Sequence, residues 1–341
     1  MNGEQLVVRV VDLVGDAYQI GVAQGEEILS TGLAAQLELL RVMTRNVDAE
    51  KAKGILQDVS PSLLQELHGM ADAMKMDLDT VIRIYSGFDY PFPDMGCTAL
   101  AQNGYYVRNY DFSPNLYDAR LVFAKPTDGY CNVGLSQQMI GRLDGMNEKG
   151  LVVGLHFVNS EHRGEGFIAT TVVRMLLEQC ANVEEATKLI AEIPHGYCYN
   201  YSMMDSSGAT VVVEASPEQQ VIKQMNPLVC ANHFETGELK GLNRATAENS
   251  IRRQHYVGRL IDEKMSALSA YHHFNDGDSP VFFHHYEEYF GTLHTVVYSP
   301  EDLGLIFGVG ENCEPMHFSI EDFMDGTAKL PESIRGIIKQ G

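Results

Sequence analysis

The sequence predicts an α+β protein in which two antiparallel sheets lie sandwiched between helices, four layers in all, behind a helical N-terminal leader. Three observations carry that expectation. Apolar side chains recur at helical spacing through the first ninety residues, a stretch rich in Pro, Gly and aromatics then interrupts them, and from Cys97 onward short β-rich runs alternate with only two helical stretches.

Each element can be read in order. Residues 17–45 bring Ile20, Val22, Ala23 and Ile28, and residues 62–86 bring Leu63, Leu64, Leu67, Met70, Ala71 and Met74, onto helical faces. GFDYPFPDMG, from Gly87 to Gly96, cannot continue a helix, because proline lacks the N–H and clashes with the preceding turn. It reads as an exposed or strained connector. ALAQNGYYVRNYDF then reads as a hairpin about Asn103-Gly104, the strongest short turn signal. RLVFAKP, GLVVGLHF, YSMMDSSGATVVVEA and TLHTVVYSPEDLGLIFGVG show the β-branched and aromatic enrichment of further strands, while residues 168–193 and 246–268 return to helical periodicity.

Composition narrows the function. Against 46 Asp and Glu stand 25 Lys and Arg, a net charge of −21 that would repel nucleic acid and anionic membrane surfaces. The N-terminus lacks a signal-peptide pattern, and no stretch reaches the ~18 apolar residues of a membrane span, so the expected location is cytoplasmic. Six scattered cysteines with no CxxC pair indicate neither a zinc knuckle nor a disulfide framework. The pairs His272-His273 and His284-His285, with His294, suggest a metal hydrolase only weakly. Adjacent histidines rarely share one ion, and no HExxH accompanies them. No metal or other cofactor is expected.

Cys97 follows Gly96 where the connector meets the first strand. Cutting the Gly96–Cys97 bond would put a thiol and an α-amine on one residue, and an amine with a pKa near 8 is a usable general base close to neutral pH. The alternative is one more buried cysteine. A papain-like Cys-His enzyme would also use Cys97, but the local signature of those proteases is missing.

MGCTALAQNGYYVRNYDF, from Met95 to Phe112, resembles the Gly-Cys-Thr…Arg-Asn-x-Asp segment of the acyl-CoA:6-aminopenicillanate acyltransferase (peptidase C45) family of N-terminal-nucleophile (Ntn) hydrolases, relatives of the choloylglycine hydrolases. LDGMNEKGLVVGLHF is similar to the DGMNEKGL segment of the latter, and NYSMMDSSGATVVVEAS with CANHF to the acyltransferase pattern ending in Asn-His-Phe. YQIGVAQGEEI and LQELHGMADAMKMDLDTVIRI are similar to the acyltransferase leader, and TLHTVVYSPEDLGLIFGVG to its C-terminal hairpin.

The resemblance implies an Ntn-hydrolase αββα sandwich made of a leader, residues 1–96, cleaved but retained, and a nucleophile chain, residues 97–341. It implies Cys97 as nucleophile, with Arg108 and Asp111 facing it from the neighbouring strand, although an i, i+3 pair needs a bend or strand end to reach one site. It further implies Asn232 as an oxyanion-hole amide and Arg253 as a bordering helical arginine, with Arg252 an alternative by one residue. His156 departs from the pattern, standing where choloylglycine hydrolases carry an oxyanion-site asparagine. That substitution and the 96-residue leader count against bile-salt hydrolysis. The expected partner is a small-molecule amide, cleaved with water or an acceptor amine taking the acyl group. Bile-salt or penicillin amidase activity, a catalytically silent binding protein of the same fold, and homo-oligomerisation stay open.

Overall fold

The computed structural model describes residues 3–31, 37–91, 93–244, 247–262, 264–288 and 290–339. Residues 32–36, 246 and 263 of the expected helical stretches, and Phe92 of the connector, lie outside the described residues. Before the connector the chain forms β1 (Glu4–Gly15), then α1 (Ala17–Ser30), α2 (Leu37–Met43), α3 (Ala49–Val59), α4 (Pro61–Met74) and α5 (Leu78–Tyr85). Asp16, Asp48 and Asp77 cap α1, α3 and α5, each accepting a backbone N–H in the first turn. The leader is thus helical except for β1, which the sequence reading did not anticipate. Its LVVRVVDLV core carries the β-branched residues a strand needs, and Leu6, Val8 and Leu13 are buried.

After the connector come β2 (Gly96–Gln102), β3 (Tyr105–Phe112), β4 (Arg120–Pro126), β5 (Asn132–Gln137), β6 (Gly141–Asn147) and β7 (Val152–Phe157). The expected helix over 168–193 is two helices, α6 (Ala169–Gln179) and α7 (Val183–Glu192), followed by β8 (Tyr199–Met204), β9 (Thr210–Ala215), β10 (Gln220–Gln224) and β11 (Leu228–Cys230). The last part holds α8 (Glu248–Gly258), α9 (Ala267–Asn275), β12 (His284–His285), β13 (Phe290–Ser299), β14 (Gly304–Val309), β15 (Met316–Ser319), α10 (Ile320–Met324) and β16 (Ser333–Ile338).

Two sheets result. Nine strands run in the order β10-β9-β8-β7-β6-β5-β4-β1-β16, and six in the order β11-β2-β3-β13-β14-β15, with β12 pairing β13. Among the described residues, the ladders between these strands are antiparallel except that of β1 with β4. Helix α6 packs on β6 and β7 of the larger sheet, α1 packs on α4 and β1, and α8 and α9 cover the smaller sheet at β2, β3 and β13. The expected four-layer αββα sandwich is therefore what the chain forms.

Buried charges bind the leader to the rest. Glu66 of α4, 1% exposed, accepts from Gln24 and, at 2.8 Å, from Arg174 of α6, while Arg120 of β4 donates to Glu27 of α1 at 2.6 and 3.0 Å. Removing one partner of such a pair strands the other in a low dielectric, at a cost of roughly 3–5 kcal/mol.

Candidate active site

The site starts from a hairpin. Asn103 and Gly104 adopt φ of 50° and 78°, the left-handed pair of a type I′ turn, and that turn fixes the register Gly96↔Asp111, Cys97↔Tyr110 and Ala99↔Arg108. Because side chains alternate across a strand, Cys97, Ala99, Arg108 and Tyr110 share the face toward the larger sheet. Gly96, Thr98 and Asp111 share the face toward α8 and α9. The resemblance led us to expect Arg108 and Asp111 to converge on Cys97 from one side; the register instead puts them on opposite faces of a strand that stays paired to Phe112. Both still adjoin Cys97, one at its side chain and the other at the strand end that carries its nitrogen.

On the inner face Arg108 Nη2 donates to Cys97 Sγ at 2.9 Å and to the Leu155 carbonyl at 2.7 Å, and Nη1 pairs with Asp144. Asp144 also accepts from Tyr298 at 2.6 Å and lies 3.6 Å from His294 Nε2. Burial would raise the Asp144 carboxyl, but Arg108 and these neighbours outweigh it and hold it below its usual range. Gly154 of β7 makes room for the assembly, since a Cβ there would lie 2.1 Å from Tyr106 Oη and 3.1 Å from Arg108 Cδ. The Cys97 thiol is pushed up to about 11, burial prevailing over the opposing pull of Arg108. The thiol is held neutral here.

At the backbone of Cys97, the peptide N–H donates to Asn232 Oδ1 at 2.8 Å, and Arg253 Nη1 donates to the Cys97 carbonyl at 2.6 Å. Arg253 Nη2 reaches Asn232 Oδ1 at 2.9 Å, and its guanidinium lies over the rings of Phe283 and Phe290. Arg253 is buried whereas Arg252 is exposed, so of the two adjacent arginines it is Arg253 that borders Cys97. Asn232 differs from the expectation in orientation. Its Nδ2 donates to the Phe157 carbonyl at 2.9 Å, so it turns an acceptor rather than a donor toward Cys97. The Asn232 loop is pinned by Ser250 Oγ, which accepts from Asn232 N–H at 2.7 Å, and by Asn200 Nδ2, which donates to the carbonyls of Ala231 and His233.

Asp111 is fully buried. Oδ1 accepts from Thr292 Oγ1 at 2.6 Å, but Oδ2 has no hydrogen-bond partner, and burial raises the carboxyl against the attraction of Arg253. Gly96 stands directly across the ladder. A Cβ on it would lie 2.4 Å from the Phe290 ring and 3.0 Å from Asp111 Cβ, so glycine is what fits before Cys97.

His156 is buried on β7 opposite Asn200. Its Nε2 is 2.8 Å from Ser202 Oγ, its Nδ1 has no hydrogen-bond partner, and the Cys97 backbone is near enough to favour the charged ring slightly. Burial first, and then Arg108, hold it far below the usual histidine range, as a neutral imidazole. Among the described residues no cluster of three or more His, Cys, Asp or Glu could hold a metal ion, and no helix is long and apolar enough to cross a membrane. Sequence reading missed Asp144 and Ser250 as site members. Asp144 lay within the LDGMNEKGL segment, and its signal was a carboxylate inside a short strand whose other charged side chain is Arg142.

Residues 99–313 match the model of the acyl-coenzyme A:6-aminopenicillanic acid acyl-transferase family. The chain belongs to this family. The match opens two residues after Cys97, so it includes Arg108, Asp111, Asn232 and Arg253 but neither the leader nor the nucleophile candidate. Among solved structures the chain is similar to two variants of conjugated bile acid hydrolase from Clostridium perfringens. One is 15% identical, with 73% of this chain and 97% of the other covered and a TM-score of 0.47; the second is 13% identical, with 72% and 97% covered and a TM-score of 0.46. It is also similar to penicillin V acylase from Agrobacterium tumefaciens, 16% identical, with 66% and 86% covered and a TM-score of 0.41. No curated protein matches the chain significantly.

Proposed function

We propose that this member of the acyl-transferase family is a self-processing amide hydrolase whose nucleophile is the N-terminal cysteine released by cutting between Gly96 and Cys97. In processing, Cys97 Sγ attacks the Gly96 carbonyl, the C–N bond breaks as nitrogen gains a proton, and water resolves the resulting thioester. This leaves a Gly96 carboxylate, a free thiol and a free α-amine. In turnover the α-amine takes the thiol proton, the thiolate displaces the amine of a substrate amide after that proton passes to it, and water releases the acid. The leader, residues 1–96, stays bound to residues 97–341 through Glu66–Arg174 and Glu27–Arg120.

One observation carries this reading. The Cys97 peptide nitrogen has a single hydrogen, which Asn232 Oδ1 receives, while a second buried acceptor beside the same strand end, Asp111 Oδ2, receives none. An ammonium group at that nitrogen supplies the missing donors and the countercharge, so the site is complete only after the cut. Hydrolysis is favoured over acyl transfer because it needs no second site for an acceptor amine. Six free cysteines fit a reducing cytoplasmic setting.

The test is intact-mass measurement of the purified chain without added protease, followed by detection of amine released from a panel of amides. Two species that split at Gly96–Cys97, with amine release, support the proposal. A full-length chain that still hydrolyses amides overturns the α-amine mechanism, and one that neither splits nor releases amine favours a silent binding protein.

A further inference from the structure

The bond between Gly96 and Cys97 lies at the very start of a strand. The ladder of β2 with β3 begins at Gly96, opposite Asp111, so Met95 stands outside it. Asn159 takes up Met95 instead. Its Oδ1 accepts from the Met95 N–H at 3.3 Å and its Nδ2 donates to the Met95 carbonyl at 3.2 Å, the two bonds that a paired strand residue would have made. We propose that Asn159 is a positioning residue for self-processing, which holds the chain before Gly96 so that the Gly96 carbonyl meets the Cys97 thiol. The inference rests on the self-processing reading above and adds to it the residue that grips the departing side of the bond.

Attack forms the S–C bond at the Gly96 carbonyl before the C–N bond to Cys97 breaks, and it requires the thiol to approach the face of that peptide plane. The plane is fixed only when both of its ends are. On the Cys97 side the N–H is held by Asn232 and the carbonyl by Arg253. On the other side stands glycine, whose missing side chain leaves its backbone free to turn, so the hold has to come from the residue before it. Asn159 supplies that hold from the loop that also steadies Asn232. The Phe157 carbonyl accepts from Asn232 Nδ2, the Val158 N–H donates to the Cys198 carbonyl at 3.0 Å, and Asn159 follows. The two side-chain amides that flank the bond are thus tied to residues 157 and 159, and one short stretch of backbone sets their spacing.

Two further observations single Asn159 out. Its φ is 35°, a left-handed conformation that asparagine adopts more readily than most side chains and that persists where the surroundings enforce it, often at functional sites. A turn by itself would be served by glycine. The other anchor of the connector, the ion pair of Asp94 with Arg244, joins side chains that are 48% and 39% exposed, and pairs so open to water hold little. Met95, by contrast, is 2% exposed, so its backbone groups would be costly to leave without partners.

The experiment follows cleavage directly. The full chain is made by cell-free synthesis and sampled for intact mass over time, as the parent, as Asn159→Gly and as Asn159→Asp. Glycine removes the amide without straining φ, and aspartate keeps an acceptor for the Met95 N–H. Asn159→Gly should split between Gly96 and Cys97 about 10–100-fold more slowly than the parent, the scale on which a small misplacement slows a positioned reaction. Asn159→Asp should fall between the two. Added hydroxylamine, which captures a thioester, should leave the glycine variant slow, because the step that suffers is the attack that forms the thioester. In the Cys97→Ala background, Asn159→Gly should melt at the temperature of its parent. An Asn159→Gly chain that splits at the parental rate, is restored by hydroxylamine or melts well below its background overturns the inference while self-processing stands. So does an aspartate variant no faster than the glycine one. A parent chain that never splits overturns the self-processing reading and this inference with it.

Discussion

The two faces of the hairpin that carries Cys97 are built to different standards of completeness. Toward the larger sheet, Arg108 contacts Sγ, Leu155 and Asp144, and Asp144 in turn meets Tyr298 and His294, a charge balanced in the uncut chain. Toward α8, Asp111 keeps an oxygen with no partner and its carboxyl is raised. The inner face is a structural core that touches the thiol, whereas the outer face, on the proposed reading, receives the α-ammonium group that a cut at Gly96 would create. Substitutions on the first should cost folding, and those on the second should cost chemistry.

Arg108→Met should give the largest effect. It strands Asp144 without its cation in a dry interior and is expected to remove roughly 3–5 kcal/mol of stability, read by denaturant unfolding in a Cys97→Ala background. Recovery of most of that loss on adding Asp144→Leu would show that the stranded charge is the cause. A stable Arg108→Met single variant would break the comparison from the inner side.

Asp111→Asn should do the reverse. A carboxyl raised above its unfolded value is a liability once ionised: its contribution is present at low pH and is lost as pH rises through the folded pKa, so a neutral isostere is expected to leave the Cys97→Ala chain as stable as the parent or more so near pH 7. Turnover of the processed enzyme, however, should fall about 10²–10⁴-fold, since the α-amine loses the group that orients it. A large loss of stability with little change in rate would place Asp111 with the inner, structural set.

Asn232→Ala probes the strand end itself. It removes the acceptor at 2.8 Å from the Cys97 nitrogen and, once the loop can turn, the donor that the family resemblance assigns to the oxyanion. Turnover should drop by about 10²–10³, the usual cost of one such donor. Steady-state rates within a few-fold of the parent would take Asn232 out of the chemistry.

How much of this was legible in the sequence depends on whether the cause was local. The hairpin at Asn103-Gly104, the break at the connector and the helical faces of α1 and α4 follow from turn chemistry and periodicity, which neighbouring residues determine. β1 was missed because a strand that pairs with residues more than a hundred positions away, β4 and β16, leaves no local mark beyond its valines. The opposite facing of Arg108 and Asp111 was readable as a conflict, since i and i+3 alternate across a strand, but only the fold shows that Asp111 stands opposite Gly96 while Arg108 turns to the Cys97 sulfur. Asp144 needed the fold, because its partners Arg108, His294 and Tyr298 come from two other strands.

The smallest effect is expected at His156, which sits between the two sets. A charged histidine where the resembled enzymes carry an oxyanion-site asparagine would shape activity between about pH 5 and 8. The structure surrounds His156 with burial and the Arg108 cation, both of which oppose protonation. A neutral ring that does not titrate in that window cannot bend a rate profile, so the parent and His156→Asn should give superimposable pH–activity curves from about pH 5 to 8. Stability is where the histidine should register. Its folded pKa lies far below the unfolded value near 6.5, so below that pH the unfolded chain takes up a proton that the folded chain refuses, and stability falls with acidification by up to about 1.4 kcal/mol per pH unit. His156→Asn in the Cys97→Ala background should therefore show a shallower acid decline in melting temperature than its parent. Activity curves that diverge near pH 6.5 would mean that the ring carries charge beside Cys97, and would move His156 from the neutral wall of the site into its acid–base chemistry.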